Sequence, residues 1–131
     1  MNSKFSLFQA FKCAFEGIFA TAKERNFKIE LCFMMLAIVL GLVFSISFLE
    51  WLCVIICFGL VLGGEVINSA IEAVVDLTSP EYHELAKKAK DCAAGGVLLF
   101  SIASFVIGCL IFIPRILSLF CLLYTSDAAD D

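Results

Sequence analysis

An all-α integral membrane protein, with an N-terminal amphipathic surface helix followed by three transmembrane helices, is the architecture this sequence predicts. Three observations predict it. Of 131 residues, 62% are hydrophobic and only 17% charged, against about 45–50% apolar and about 25% charged in a soluble domain. A chain this short has too much surface for its volume to hide that surplus in one core. The apolar residues collect into runs long enough to cross a bilayer, at roughly 20 residues per span, so three or four spans are the most that fit. The basic residues gather in two of the segments that flank those runs. Together these exclude an ordinary soluble domain, a disordered chain and a nucleic-acid binder.

Residues 3–22 read as the surface helix. Phe8, Phe11, Phe15, Ile18, Phe19 and Ala22 recur at steps of three and four, while Gln9, Lys12, Glu16 and Lys23 occupy the other side. The stripe is too interrupted by charge to span and is not the continuous block of a secretory signal. It suits a helix lying in the membrane interface. The first span is expected over 27–48, with Glu50 and Trp51 marking the far interface, where tryptophan is favoured. The second runs over 52–77 and carries Glu65, Asn68, Glu72 and Asp76. Thr78-Ser79-Pro80-Glu81 then breaks the chain, with Ser79 expected as an N-cap and Pro80 at the first position of the next helix. The polar stretch Glu81–Asp91 opens that helix, and the third span covers 92–120.

Lys4, Lys12, Lys23, Arg25 and Lys28 precede the first span, and Lys87, Lys88 and Lys90 lie between the second and third. The positive-inside bias therefore puts the N-terminus and the second loop in the cytoplasm and the turn near Glu50 outside. The seven cysteines form no CxxC pair, and Cys53 and Cys57 stand one helical turn apart. They read as small apolar residues, with no metal or disulfide framework.

The segment 121–131, CLLYTSDAADD, breaks the pattern: a hydrophobic helix runs into a small, acidic tail. It resembles the translation of a transposon-end adaptor used in sequencing libraries. Residues 1–120 are accordingly read as a single membrane domain and the tail is set aside. Three of the thirteen acids lie in the tail, which leaves ten against nine bases, a balance of −1 in place of −4.

The second span holds the chemistry. An acidic residue at the centre of a span costs about 2.5–3.5 kcal/mol by insertion scales, so the face it looks onto matters. Glu65, Asn68, Ser69, Glu72 and Asp76 fall on one helical stripe, with Val66, Ile67, Ala70, Ile71, Val74 and Val75 opposite. Three helices are expected to enclose little space, and a symmetric oligomer with the stripe at the subunit interface is the economical way to cover it. At about 1.5 Å per residue, Glu65 lies roughly 21 Å inward from Trp51 and Glu72 about 10 Å further, at the cytoplasmic interface. Glu24, just before the first span, is expected at the height of Glu72. Gly63-Gly64 and Gly95-Gly96 stand in neither GxxxxGK[ST] nor GxGxxG, and read as close-packing sites.

The stretch Glu65-Val66-Ile67-Asn68-Ser69-Ala70-Ile71-Glu72-Ala73-Val74-Val75-Asp76 resembles the signature of the bacterial membrane diacylglycerol kinase and undecaprenol kinase family. So do Ser79-Pro80-Glu81-Tyr82-His83-Glu84-Leu85 and Ala89-Lys90-Asp91. The likeness runs from the surface helix to about Leu119. It implies a homotrimer with one surface helix and three spans per protomer, and active sites at the subunit interfaces. It also implies transfer of the ATP γ-phosphate to a lipid hydroxyl at the bacterial inner membrane. By position, Glu65 matches the family's catalytic base and Asn68 the residue that orients it. Glu24 and Glu72 match the carboxylates that hold Mg2+ on the nucleotide. Glu81, Tyr82, His83, Lys90 and Asp91 match nucleotide contacts.

This chain departs from some members in two places. Their early arginine falls here near Ser6, and their serine after the Lys-Asp pair appears here as Ala93-Ala94. Those differences, with the wording of Asp76–His83, look closer to the undecaprenol-using branch, with diacylglycerol as the alternative lipid. A small proton-coupled transporter carrying its proton on Glu65 would explain one buried acid. It would explain neither the matched heights of Glu24 and Glu72 nor the polar segment Glu81–Asp91.

Overall fold

A computed structural model describes residues 6–130; Met1–Phe5, the first part of the expected surface helix and Lys4 among them, and Asp131 lie outside the described residues. Four helices follow one another: α1 (Leu7–Thr21), α2 (Arg25–Val43), α3 (Phe48–Thr78) and α4 (Glu84–Asp130). The last three are long and apolar enough to cross a membrane. α3 is the central helix. α4 packs along it most extensively, α2 less so, and α1 touches it near one end.

The helix limits follow from caps more than from hydropathy. A capping box starts α1: Gln9 N donates to Ser6 Oγ (3.2 Å) and Ser6 N to Gln9 Oε1 (3.0 Å). The same device starts α3 at Phe48, four residues before the expected 52, with Glu50 N donating to Ser47 Oγ (3.2 Å) and Ser47 N to Glu50 Oε1 (3.1 Å). α2 consequently ends at Val43 rather than 48, and Ser45 turns the chain in the left-handed region at φ 50°. The expected start of α4 is also displaced. Ser79 closes α3 as its C-cap, its N–H donating to the Val75 carbonyl (2.8 Å), and its hydroxyl donates to the Glu81 carbonyl in a turn. His83 takes the cap position instead, its carbonyl accepting from Lys87 N and its Nδ1 from Leu85 N (3.1 Å). α4 then runs through the third span and on to Asp130, and residues 117–130 are exposed throughout. All seven cysteines are unbridged.

The tightest packing lies at the Glu50 end. Ile46, Val54, Ile111 and Phe112 are buried together, with Leu40, Trp51 and Ile107 against them. A bidentate ion pair clamps the same end: Arg115 Nη1 donates to Glu50 Oε2 (2.7 Å) and Nη2 to Oε1 (2.6 Å). Here the α2–α3 turn leaves no room for a side chain at Gly41. A Cβ there would stand 2.6 Å from Trp51 Cη2 and 3.2 Å from Ile46 Cδ1. Gly41→Ala should therefore destabilise the fold by about 1–3 kcal/mol through overpacking, despite the better helix propensity of alanine. Unfolding in detergent micelles measures it, and an unchanged or raised stability would show that the Trp51 ring yields freely. Of the glycine pairs, Gly64 is the close-packed member, facing Phe100 and Val97, while Gly63, Gly95 and Gly96 face open space.

Candidate active site

From the packed end toward the other end of the bundle, α2, α3 and α4 line a cavity of about 880 Å3. Its walls are apolar over most of their length, with Phe33, Leu62, Val97 and Phe105 among them, and its polar residues include Glu30, Glu65, Asn68 and Glu72. Glu65 is only 4% exposed and Asn68 7%. The helical stripe of α3 is thus covered at its centre by helices of the same chain. Its flanks are less covered: Ser69 and Glu72 are half-buried and Asp76 is exposed.

The stripe organises the remaining groups by height. Asn68 Nδ2 donates to Glu72 Oε1 at 3.4 Å, a long contact, and Asn68 lies one turn from Glu65 on the same helix. Glu24 occupies the N-cap position of α2 but makes no cap bond. Its Oε2 accepts instead from Ser69 Oγ at 2.9 Å, across 45 residues of sequence. Since Ser69 and Glu72 are three residues apart on α3, Glu24 sits within about one turn of Glu72, close to the height expected of it. Glu65, Asn68, Glu72 and Glu24 are therefore brought together around two turns of α3.

The segment after α3 is placed differently. Glu81, Tyr82 and His83 are exposed in the connection to α4, and no hydrogen bond joins them to those carboxylates among the described residues. Tyr82 lines a shallow depression with Glu84, Lys87, Lys88 and Asp91. Lys90 bridges to Asp76, the last member of the stripe, and Lys87 to Asp91. Both lysines precede the apolar part of α4. The Asp76 hydrogen bond raises the pKa of Lys90 above its ordinary value, and the Asp91 bond does the same for Lys87. Both ammonium groups stay charged at neutral pH.

Two ionisable side chains in apolar helices went unremarked in the sequence: Glu30 in α2, which reaches the cavity, and Arg115 in α4, which reaches Glu50. The signal for both was the one that singled out Glu65, a charge inside a run that otherwise spans.

Residues 12–112 match the family model described as prokaryotic diacylglycerol kinase. The chain is 39% identical over 110 residues to an undecaprenol kinase of Bacillus subtilis, a match covering 83% of this chain and 89% of that protein. It is 41% identical over 121 residues to a diacylglycerol kinase of Synechocystis, covering 87% of this chain and 66% of that protein. It is 35% identical over 92 residues to the diacylglycerol kinase of Escherichia coli, covering 70% of this chain and 75% of that protein. All three matches span more than two thirds of this chain. The chain belongs to the prokaryotic diacylglycerol kinase family.

Proposed function

We propose that this ATP-dependent lipid kinase transfers the γ-phosphate of ATP to the hydroxyl of undecaprenol, giving undecaprenyl phosphate, with Glu65 as the general base. The observation that carries this reading is a buried carboxylate among the polar residues of an otherwise apolar cavity. A substrate with a hydrocarbon body and a single hydroxyl suits such a cavity, body against the apolar walls and hydroxyl against Glu65. Glu65 then takes the hydroxyl proton as the oxygen attacks the γ-phosphorus, the bond to the bridging oxygen breaks, and ADP leaves. Asn68 orients the base.

Glu24 and Glu72 suit Mg2+ as an oxygen-only pair. Among the described residues no group of three or more His, Cys, Asp or Glu converges as a metal site. Two carboxylates match an ion that keeps waters and phosphate oxygens for its other positions. When bound, the ion neutralises charge on the phosphates. Glu81, Tyr82, His83, Lys90 and Asp91 contact the nucleotide in this reading. Lys90 turns from Asp76 to the phosphates, and Tyr82 and Asp91 already border one depression. α1 lies in the cytoplasmic interface of the inner membrane, which its exposed Phe8, Phe11, Phe15 and Phe19 favour. The N-terminus and the α3–α4 connection are cytoplasmic. The protein assembles as a homotrimer with its sites at the subunit interfaces, a partner helix covering the half-exposed Glu72 and exposed Glu24.

Undecaprenol is preferred over diacylglycerol because Ala93-Ala94 replace the serine of diacylglycerol-using relatives. The match along 89% of an undecaprenol kinase points the same way. Purified protein in mixed micelles, given ATP and each lipid side by side, should phosphorylate undecaprenol in preference. Turnover of diacylglycerol with none of undecaprenol would reverse the choice. Proton flux without phosphorylation of either alcohol would put the protein among transporters.

A further inference from the structure

The polar end of the cavity holds an atom that the described residues leave unsatisfied. Asn68 is 7% exposed and its amide nitrogen donates to Glu72, but its Oδ1 is buried without a hydrogen-bond partner. A buried acceptor of that kind calls for a donor, and Asn68 lines the same cavity as Glu65. The hydroxyl of a lipid alcohol is such a donor, and its hydrocarbon body then lies further along the cavity, toward the packed end. Bulky side chains line that path, Phe33 from α2, Phe58 from α3, Phe105 and Phe112 from α4. Gly108 interrupts them. It lines the cavity from α4, and a Cβ there would meet nothing within 4 Å. α4 runs back along α3 with Glu50 against Arg115 and Gly64 against Phe100, which sets Gly108 level with Cys57. α2 packs with Gly41 against Trp51 and Glu24 against Ser69, which brings Ala37 within about one turn of the same level. Three helices thus present no side chain, a thiol and a methyl to one depth of the cavity.

We infer that Gly108 is a specificity-determining residue for the acceptor: its missing side chain keeps open the passage through which the tail of a long lipid alcohol runs. Counted along α3, that passage lies about 12 Å from Glu65, the reach of roughly ten carbons of an extended chain. A side chain placed at 108 has only the cavity to enter, because no atom of the protein stands in its way. It would stop a long tail and leave the polar end and the helix contacts as they are. The inference rests on the reading that the acceptor hydroxyl meets Glu65 and Asn68.

Gly108→Leu and Gly108→Ala are compared with the parent in mixed micelles, on undecaprenol and on geraniol, a prenol too short to reach Gly108. Gly108→Leu should lower kcat/KM for undecaprenol roughly 10–200-fold, the range by which a hydrophobic pocket rejects an ill-fitting group. Turnover of geraniol and KM for magnesium-ATP should stay near the parent values. Both variants should fold as the parent does, since each gains helix propensity and meets no clash. Gly108→Ala should show the same selective loss to a smaller degree, and it decides the matter if the leucine variant does not fold. In the parent, a prenol carrying a diazirine roughly ten carbons from its hydroxyl should label residues around Gly108, Cys57 and Ala37. Parent-like use of undecaprenol by Gly108→Leu, equal losses on both prenols, or label confined to other residues would each overturn the inference. A parent that phosphorylates neither prenol would remove the acceptor reading beneath it. A parent and a leucine variant equally active on both would remove only the role of Gly108.

Discussion

Glu65→Gln should bind magnesium-ATP as the parent does and transfer phosphate roughly 10²–10⁴-fold more slowly, the usual share of general base catalysis. The substitution keeps the shape of the side chain and its capacity to hydrogen-bond but removes the ability to accept the hydroxyl proton. Because Glu65 is 4% exposed inside an apolar cavity, loss of a buried acid should leave the folded protein intact or somewhat more stable. Single-turnover phosphorylation with nucleotide binding measured in parallel separates the two steps. Transfer at near the parent rate would make Glu65 a structural residue and return the site to a different base.

Substituting Glu24 or Glu72 by Gln should each lower kcat/KM for magnesium-ATP on the order of 10²-fold, at least what is lost when groups supporting a metal ligand are removed. The double variant should be little worse than either single one, since two groups that hold one ion act as a unit. Glu72 stands on α3 and Glu24 at the α1–α2 junction, and Ser69, three residues before Glu72, donates its hydroxyl to Glu24. Weakening in the single variants should be partly relieved by raising magnesium at fixed ATP. Independent, multiplying losses in the double variant would mean that the two carboxylates serve separate purposes.

Much of this site was legible because its parts are periodic within a single helix. Glu65, Asn68, Ser69, Glu72 and Asp76 line one face of α3 by spacing alone, and the cost of acids in an apolar span marks that face as functional. The helix limits were legible in part. Hydropathy located the three spans, but the α2–α3 turn was set by the Ser47–Glu50 capping box and the start of α4 by His83, local hydrogen bonds that a count of apolar residues does not register. Trp51, expected at the far interface, packs against Gly41.

Composition and pattern by themselves determined the class of the protein, its three spans, the stripe on α3 and, through the wording of that stripe, the family. Both quantities are sums or periods along one stretch of chain, and the membrane's demand for apolar length acts on that same local scale. Only the tertiary structure decided that α3 is central, that α2 and α4 close over Glu65, and that Arg115 clamps Glu50 across 65 residues. It also decided that Glu30 and Glu65 line one cavity. Which charges meet across helices depends on the rotation and register of each helix against its neighbours. Those are settled by side-chain packing at the contact, where Gly41 and Gly64 let elements approach and bulkier residues do not.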